Sequence, residues 1–146
     1  MFSRTLEYAL RAAAHLAMSA PELVTAAEMA EATQVPGAYL SKVLQQLRDH
    51  DIVATQRGIG GGMKLARPAA ELTILDIAEA VEPIPRIRSC PLNITGHGAK
   101  LCPLHRRLDQ AMAIIEQNFA ESTLADLVDE QQGIKPLCPF PHGSGA

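Results

Sequence analysis

Aromatic side chains are scarce in this chain: Phe, Trp and Tyr together make 3% of its 146 residues. A sandwich of sheets is therefore disfavoured, and an apolar fraction of 47%, much of it alanine, points to packed helices. Cysteine is scarce as well. Three of them, an odd number, fit a disulfide framework poorly and a reduced compartment better. No apolar run is long enough to span a bilayer. The opening ALRAAAHLAMSA is broken by Arg11 and His15 and lacks the layout of a secretory signal. These absences predict no membrane partner and a cytoplasmic location. Internal repeats are missing too, so the length implies one domain-sized core.

A net charge of −3 argues against a nucleic-acid partner until its distribution is considered. Residues 1–67 carry seven Lys/Arg and six Asp/Glu, while residues 68–146 carry six and ten. An acidic back half confines any nucleic acid to the front half.

The periodicity of the front half predicts helices. Leu6, Leu10, Ala13 and Ala17 recur at helical spacing from Ser3 to Ser19, and Pro21 ends the run. In VTAAEMAEAT, Thr25 and Glu28 have the spacing of a capping box. Pro36 pre-sets the entrance of a third helix whose buried stripe is Leu40, Val43, Leu44 and Leu47. IVATQ and MKLA then read as two strands joined by RGIGGG. Thr73 and Asp76 open another short helix. After a Pro/Gly-rich loop, a long helix from Leu104 to about Phe119 carries Leu108, Met112, Ile115 and Phe119 along one stripe. Thr123 and Asp126 begin a last short helix, LADLVDE. The fold class expected is mainly α: a winged helix-turn-helix with a small β-hairpin wing and a long C-terminal helix.

In that arrangement the helix after the turn enters the major groove of DNA and the hairpin lies along an adjacent groove. The free face of the third helix suits this role. Ala38 and Ser41 allow close approach, Gln45 can pair with adenine, and Lys42 and Arg48 suit phosphate. An ordinary solvated face reads the same way. The hairpin discriminates better. GIGGGM fails as a nucleotide loop, because Met63 stands where a P-loop or dinucleotide fingerprint needs glycine. A slim glycine turn that includes Gly60 and Gly61, flanked by Arg57 and Lys64, suits insertion into a narrow minor groove.

The stretch RSCPLNITGHGAKLCPLHRR gathers Cys90, His97, Cys102 and His105 among basic residues. Such a set can hold a metal or cluster, form a disulfide, or fill a core. Burial alone explains poorly why both cysteines adjoin proline on a basic loop, where cations favour the thiolate.

The run VTAAEMAEATQVPGAYLSKVLQQLRDHDIVATQRGIGGGMKLARP resembles the DNA-binding half of the bacterial iron–sulfur cluster regulator family of winged helix-turn-helix transcription factors, the IscR/NsrR type. The likeness continues through TILDIAEAVE, the cysteine loop and TLADLV, over about residues 1 to 132. It implies a homodimer on a palindromic double-stranded operator, with half-sites about one helical turn apart. It implies DNA contacts from Tyr39, Ser41, Lys42 and Gln45, minor-groove insertion of Arg57, and dimerisation through the helix from Leu104. It divides the chain into a DNA-binding domain (1–82), a cofactor loop (83–103), a dimerisation helix with a short helix after it (104–132) and a flexible tail (133–146).

The cluster-binding members place three cysteines in this loop, whereas here the middle position is Gly96, with His97 beside it. Two thiolates completed by histidine or carboxylate favour a 2Fe–2S centre over a larger cluster. Cys90 and Cys102 are the implied ligands, with His105, His97 and Glu7 as further candidates, Glu7 by analogy with an acidic residue lent by the partner's first helix. Arg11 stands where some members add a ligating histidine. Zinc, a thiol switch or no cofactor remain alternatives, since a Cys2His2 set suits tetrahedral zinc. His15 reads as structural, and Cys138 with His142 is given no role. Two other classes compete. A cysteine-nucleophile enzyme lacks an oxyanion-hole pattern and a third orienting residue, so no enzyme activity is expected. A protein-binding winged-helix adaptor would not need Arg57.

Overall fold

The computed structural model describes residues 2–94, 96 and 100–129. His97 and the tail with Cys138 and His142 therefore lie outside the described residues. The elements run α1 (Arg4–Ser19), α2 (Ala26–Thr33), α3 (Gly37–Asp49), β1 (Val53–Gln56), β2 (Gly62–Leu65), a 3₁₀ turn (Ala69–Glu71), α4 (Ile74–Val81), α5 (Pro103–Glu121) and α6 (Leu124–Leu127). This is the expected winged helix-turn-helix with a long C-terminal helix.

Each helix start has a local cause. Ser3 Oγ accepts the Leu6 N–H at 3.2 Å, so α1 begins one residue later than the run of spacing suggests. Both expected capping boxes form, at Thr25–Glu28 and Thr73–Asp76, and a third forms at Thr123–Asp126. Such caps satisfy first-turn N–H groups that have no partner within the helix. Pro36 precedes α3 and Pro103 opens α5, where a missing N–H costs nothing.

The core is built on α1. Its Ala9, Ala12, Ala13 and Leu16 are buried, and the small alanines let α3 and α4 pack closely on it. The whole predicted stripe of α3, Leu40, Val43, Leu44 and Leu47, lies in this interior with Val35, Ile52 and Ile77. Among the described residues no aromatic ring is in the buried core.

The wing is antiparallel, pairing Val53 with Leu65 and Gln56 with Gly62. It is fastened from an unexpected side. Val24, just before α2, exchanges backbone hydrogen bonds with Met63 at 2.9 and 2.8 Å. A Cβ on Gly62 would come within 2.9 Å of the Val24 carbonyl oxygen, so glycine is needed for that approach.

The two C-terminal helices differ from expectation in extent. α5 runs from Pro103 to Glu121, longer than the apolar stripe alone, while α6 is a single turn ending at Leu127. Between them the chain turns back. Ile74 N–H donates to the Ser122 carbonyl at 2.9 Å, Leu124 N–H donates to the Leu72 carbonyl at 2.8 Å, and Leu124 is fully buried in the core of the front half. No helix among the described residues is long and apolar enough to cross a membrane.

Candidate nucleic-acid interface and sensor loop

One face of α3 is left open by the packing. Ala38, Tyr39, Ser41, Lys42 and Gln45 are all exposed while the apolar stripe behind them is buried. The two sets alternate because a 3.6-residue turn puts them on opposite sides of one helix. Arg57, Gly60 and Lys64 are exposed on the wing, and Gly61 is half-buried. The tip is a tight turn closed by a Gly61 N–H bond to the Gly58 carbonyl at 3.0 Å, and Gly60 holds φ of +74° at its third position. That dihedral is one glycine adopts without steric cost.

Between α3 and the wing lies a cleft of about 340 Å³, lined by Thr25, Ala26, Ser41, Arg48, Thr55 and Gln56 among others. Thr55 and Gln56 carry no motif signal. They reach the cleft because β1 folds back beside α3, where Arg48 Nη1 meets Thr55 Oγ1 at 3.5 Å. Gln45 is not idle in the DNA-free chain. Its amide nitrogen donates to Asp49 at 2.8 Å, and its amide oxygen accepts from Arg48. Reading a base edge requires Gln45 to exchange these partners. Ser41 donates to the Gly37 carbonyl at 3.1 Å, one turn back.

The loop after α4 is pinned at its start. Arg86 Nε and Nη2 donate to the two carboxylate oxygens of Asp109 at 2.8 and 2.9 Å, and Nη1 donates to Glu116 at 2.6 Å. The Ile87 N–H donates to the same Asp109 at 2.9 Å. The Arg86 bonds and that N–H hold the Asp109 carboxyl down at about 2, and the two carboxylates raise Arg86 further above its usual range. Sequence reading did not find this fork, because its members are 23 and 30 residues apart.

Cys90 and Cys102 are free thiols, not a disulfide. Cys90 is buried, with 8% exposure, and its carbonyl accepts the Asn93 N–H at 3.2 Å. Cys102 is half-buried at the mouth of α5, and its Sγ lies 3.2 Å from His105 Nδ1. The spacing C-x-x-H predicts this, since the residue before a helix and the third within it share an end. Glu7 is not with this pair in the single chain. It is ion-paired with Arg11 on α1. Among the described residues no three His, Cys, Asp or Glu side chains converge as a metal-ligand set. One thiol beside one imidazole suits iron or zinc in donor type. The pair offers two donors only, so a metal held there would need others from elsewhere on the loop or from a second copy. His15 on α1 is half-buried, and burial lowers its imidazole below the ordinary value, with Glu28 partly opposing.

An exposed polar helix face beside a cation-flanked hairpin is the arrangement of a winged helix-turn-helix protein. Residues 2–130 match the family model of Rrf2, described as an iron-dependent transcriptional regulator, and the chain belongs to that family. It is similar to a protein of Aquifex aeolicus (strain VF5) described as an HTH-type transcriptional regulator, 29% identical over 141 residues and covering 94% of this chain and 98% of the other. In fold it resembles T. potens IscR, with a TM-score of 0.75 at 22% identity and 93% of each chain covered. It also resembles CymR (YrzC), the global cysteine regulator of B. subtilis, with a TM-score of 0.73 at 22% identity, covering 87% of this chain and 95% of that one. The family resemblance drawn from the residues is the same one. Rrf2-family proteins dimerise and bind DNA operators.

Proposed function

We propose that this protein is a homodimeric regulator that grips a palindromic operator with α3 and the wing, and that the Cys90/Cys102 loop adjusts this grip in response to redox, nitric oxide or iron status. The observation that carries the proposal is the pairing of two features in one chain: an open polar face on α3 beside the Arg57/Lys64 wing, and a Cys102–His105 pair at the mouth of α5. Residues 1–82 are the DNA-binding domain in this reading, 83–103 the sensor loop, 104–132 the dimerisation region and 133–146 a tail.

Ala38, Tyr39, Ser41, Lys42 and Gln45 face the major groove, with Lys42 on phosphate and Gln45 on a base edge. Arg57 enters the minor groove, Gly60 and Gly61 keep the hairpin narrow enough to follow it, and Lys64 neutralises backbone charge. Cys90 and Cys102 would ligate the iron of a 2Fe–2S centre through their thiolates, with His105 and the Glu7 carboxylate of a second copy as completing donors and His97 as an alternative. Such a centre, when bound, supplies a redox-reactive group beside the dimer helix. What the chain contributes is mechanical. The Arg86 fork holds the start of the loop to α5, so a restraint on the loop is a restraint on that helix.

The test is operator binding by protein purified without oxygen, with and without its bound iron and sulfide, together with the visible spectrum and zinc content. Cofactor-dependent affinity that is lost in Cys102→Ser supports the sensing role, and equal affinities in both forms reject it. Arg57→Ala separates regulator from adaptor. It should weaken operator binding roughly tenfold or more and lower the salt dependence by about one counterion.

A further inference from the structure

The tip of the wing carries one apolar side chain that neither the core nor the DNA contacts assigned above use. Ile59 is 109% exposed, the highest of the large apolar residues described, with Leu92 next at 70%. It is the second residue of the turn 58–61, which the Gly61 N–H closes on the Gly58 carbonyl at 3.0 Å. Glycine stands on either side of it, and a Cβ on Gly58 or Gly60 would meet nothing within 4 Å. The isoleucine therefore projects alone from a tip that is otherwise bare backbone. Beneath it the hairpin is braced. A Cβ on Gly61 would collide with the Gln56 carbonyl oxygen, and Met63 is bonded through its backbone to Val24.

We propose that Ile59 is an apolar wedge of the minor groove. It buries against the sugars and base edges beneath the wing, and it makes operator preference depend on how easily the base step there opens. The proposal rests on the DNA-binding reading above.

The surroundings of Ile59 decide what covers it. Arg57 and Lys64 flank the tip and are both exposed, so the wing favours a polyanion over an apolar protein surface. A lone side chain also falls far below the area that a stable protein contact buries. The minor groove of B-DNA is about 6 Å wide, so only a hairpin tip stripped of side chains can enter it. Here one side chain is left, and it is of the kind that slips between base pairs. Apolar wedges partly unstack a base step, and pyrimidine–purine steps yield at the least cost. Arg57 and Ile59 then contribute in different ways. The guanidinium answers to the negative potential of the groove, and its binding displaces counterions. Ile59 gains by leaving water and displaces none.

The probe is duplex DNA that the full-length wild-type protein selects from a random library. Ile59→Ser should lose about tenfold or more in affinity for it, the scale of leaving an isoleucine exposed to water. The slope of log affinity against log salt should stay at the wild-type value, whereas Arg57→Ala should lower it. Ile59→Leu should keep most of the affinity. Both Ile59 variants should melt as the wild type does, because nothing in the chain covers that side chain. Hydroxyl-radical footprinting locates the base step under each wing. Replacing that step with a stiff A-tract step should weaken binding by the wild type and leave Ile59→Ser almost unaffected. Equal affinities of Ile59→Ser and wild type overturn the proposal, as does a salt slope that falls in Ile59→Ser. A changed sedimentation of DNA-free Ile59→Ser would place the residue in a protein contact and overturn it as well. If the wild type selects no duplex, the DNA-binding reading itself fails. If the wild type binds and Ile59→Ser binds equally, only the wedge is lost.

Discussion

Helices α1 to α4 and helix α5 solve opposite problems. The first group encloses an interior, with Leu16, Met29, Leu40, Leu47 and Ile77 almost wholly removed from water. α5 is longer than any of them and has no buried residue at all. Leu104 is 64% exposed, Leu108 44% and Ile114 68%, while Met112 and Ile115 line a shallow apolar groove with Phe2, Leu6 and Pro83. A helix of this length holds its shape in water mainly by burying an apolar face. The front half therefore buries its apolar faces within the one chain, whereas the apolar side chains of α5 are left open to water in it. The loop after α4 is tied to α5 by Arg86 and to the front half by the end of α4. It sits where a local restraint can alter how one region bears on the other.

Breaking each side of this contrast should give different losses. The largest effect is expected in the front half. Leu47→Ala removes a fully buried side chain and should cost about 2–5 kcal/mol in denaturant unfolding. A loss well under 1 kcal/mol, the range of surface substitutions, would mean the interior is less complete than described. On α5, Ile114→Glu should keep helicity by circular dichroism but shift sedimentation from dimer to monomer. A dimer that survives this change places the interface on another face.

The Arg86 fork gives a smaller, pH-dependent effect. Asp109 titrates at about 2 in the folded chain against an ordinary 3.8. Its ionised form therefore stabilises the fold fully above the ordinary value, and that contribution is lost as pH falls from there toward 2. Asp109→Asn should remove this acid-limb slope and loosen the loop in hydrogen exchange. An unchanged acid limb would leave the fork without a stabilising role. His15 gives the smallest effect and a window nearer neutrality. Burial lowers its imidazole, so protonation is resisted in the fold, and its contribution is present above the ordinary value near 6.5 and declines as pH falls below it. His15→Gln should flatten the stability profile there, and a profile identical to wild type would remove His15 from the account.

Much of the architecture was legible in the residues. The α3 stripe, the capping boxes, the hairpin between its cations and the C-x-x-H pairing at α5 are all local patterns, set by neighbours a few positions apart. The misses share a different character. Val24 clips the wing through backbone atoms alone, which leaves no side-chain signature. Arg86 finds Asp109 and Glu116 across a loop. Leu124, expected with the dimerisation region, is buried in the core of the front half. Gln45, read as able to contact adenine, is bonded to Asp49 and Arg48 in the DNA-free chain, partners that the reading did not name. For the candidate site, the elements that bear its residues were legible, but apart from Cys102 with His105 the present partners of those residues were not.

What the sequence determined by itself is the set of elements, the faces they bury and the family to which they belong, because helical periodicity, caps and glycine turns act over a few residues. Tertiary structure alone decided which distant groups meet: Val24 on the wing, Arg86 on α5, Leu124 in the front-half core. Those pairings depend on chain-closure and packing of already formed elements, and no short window of residues contains the atoms that make them.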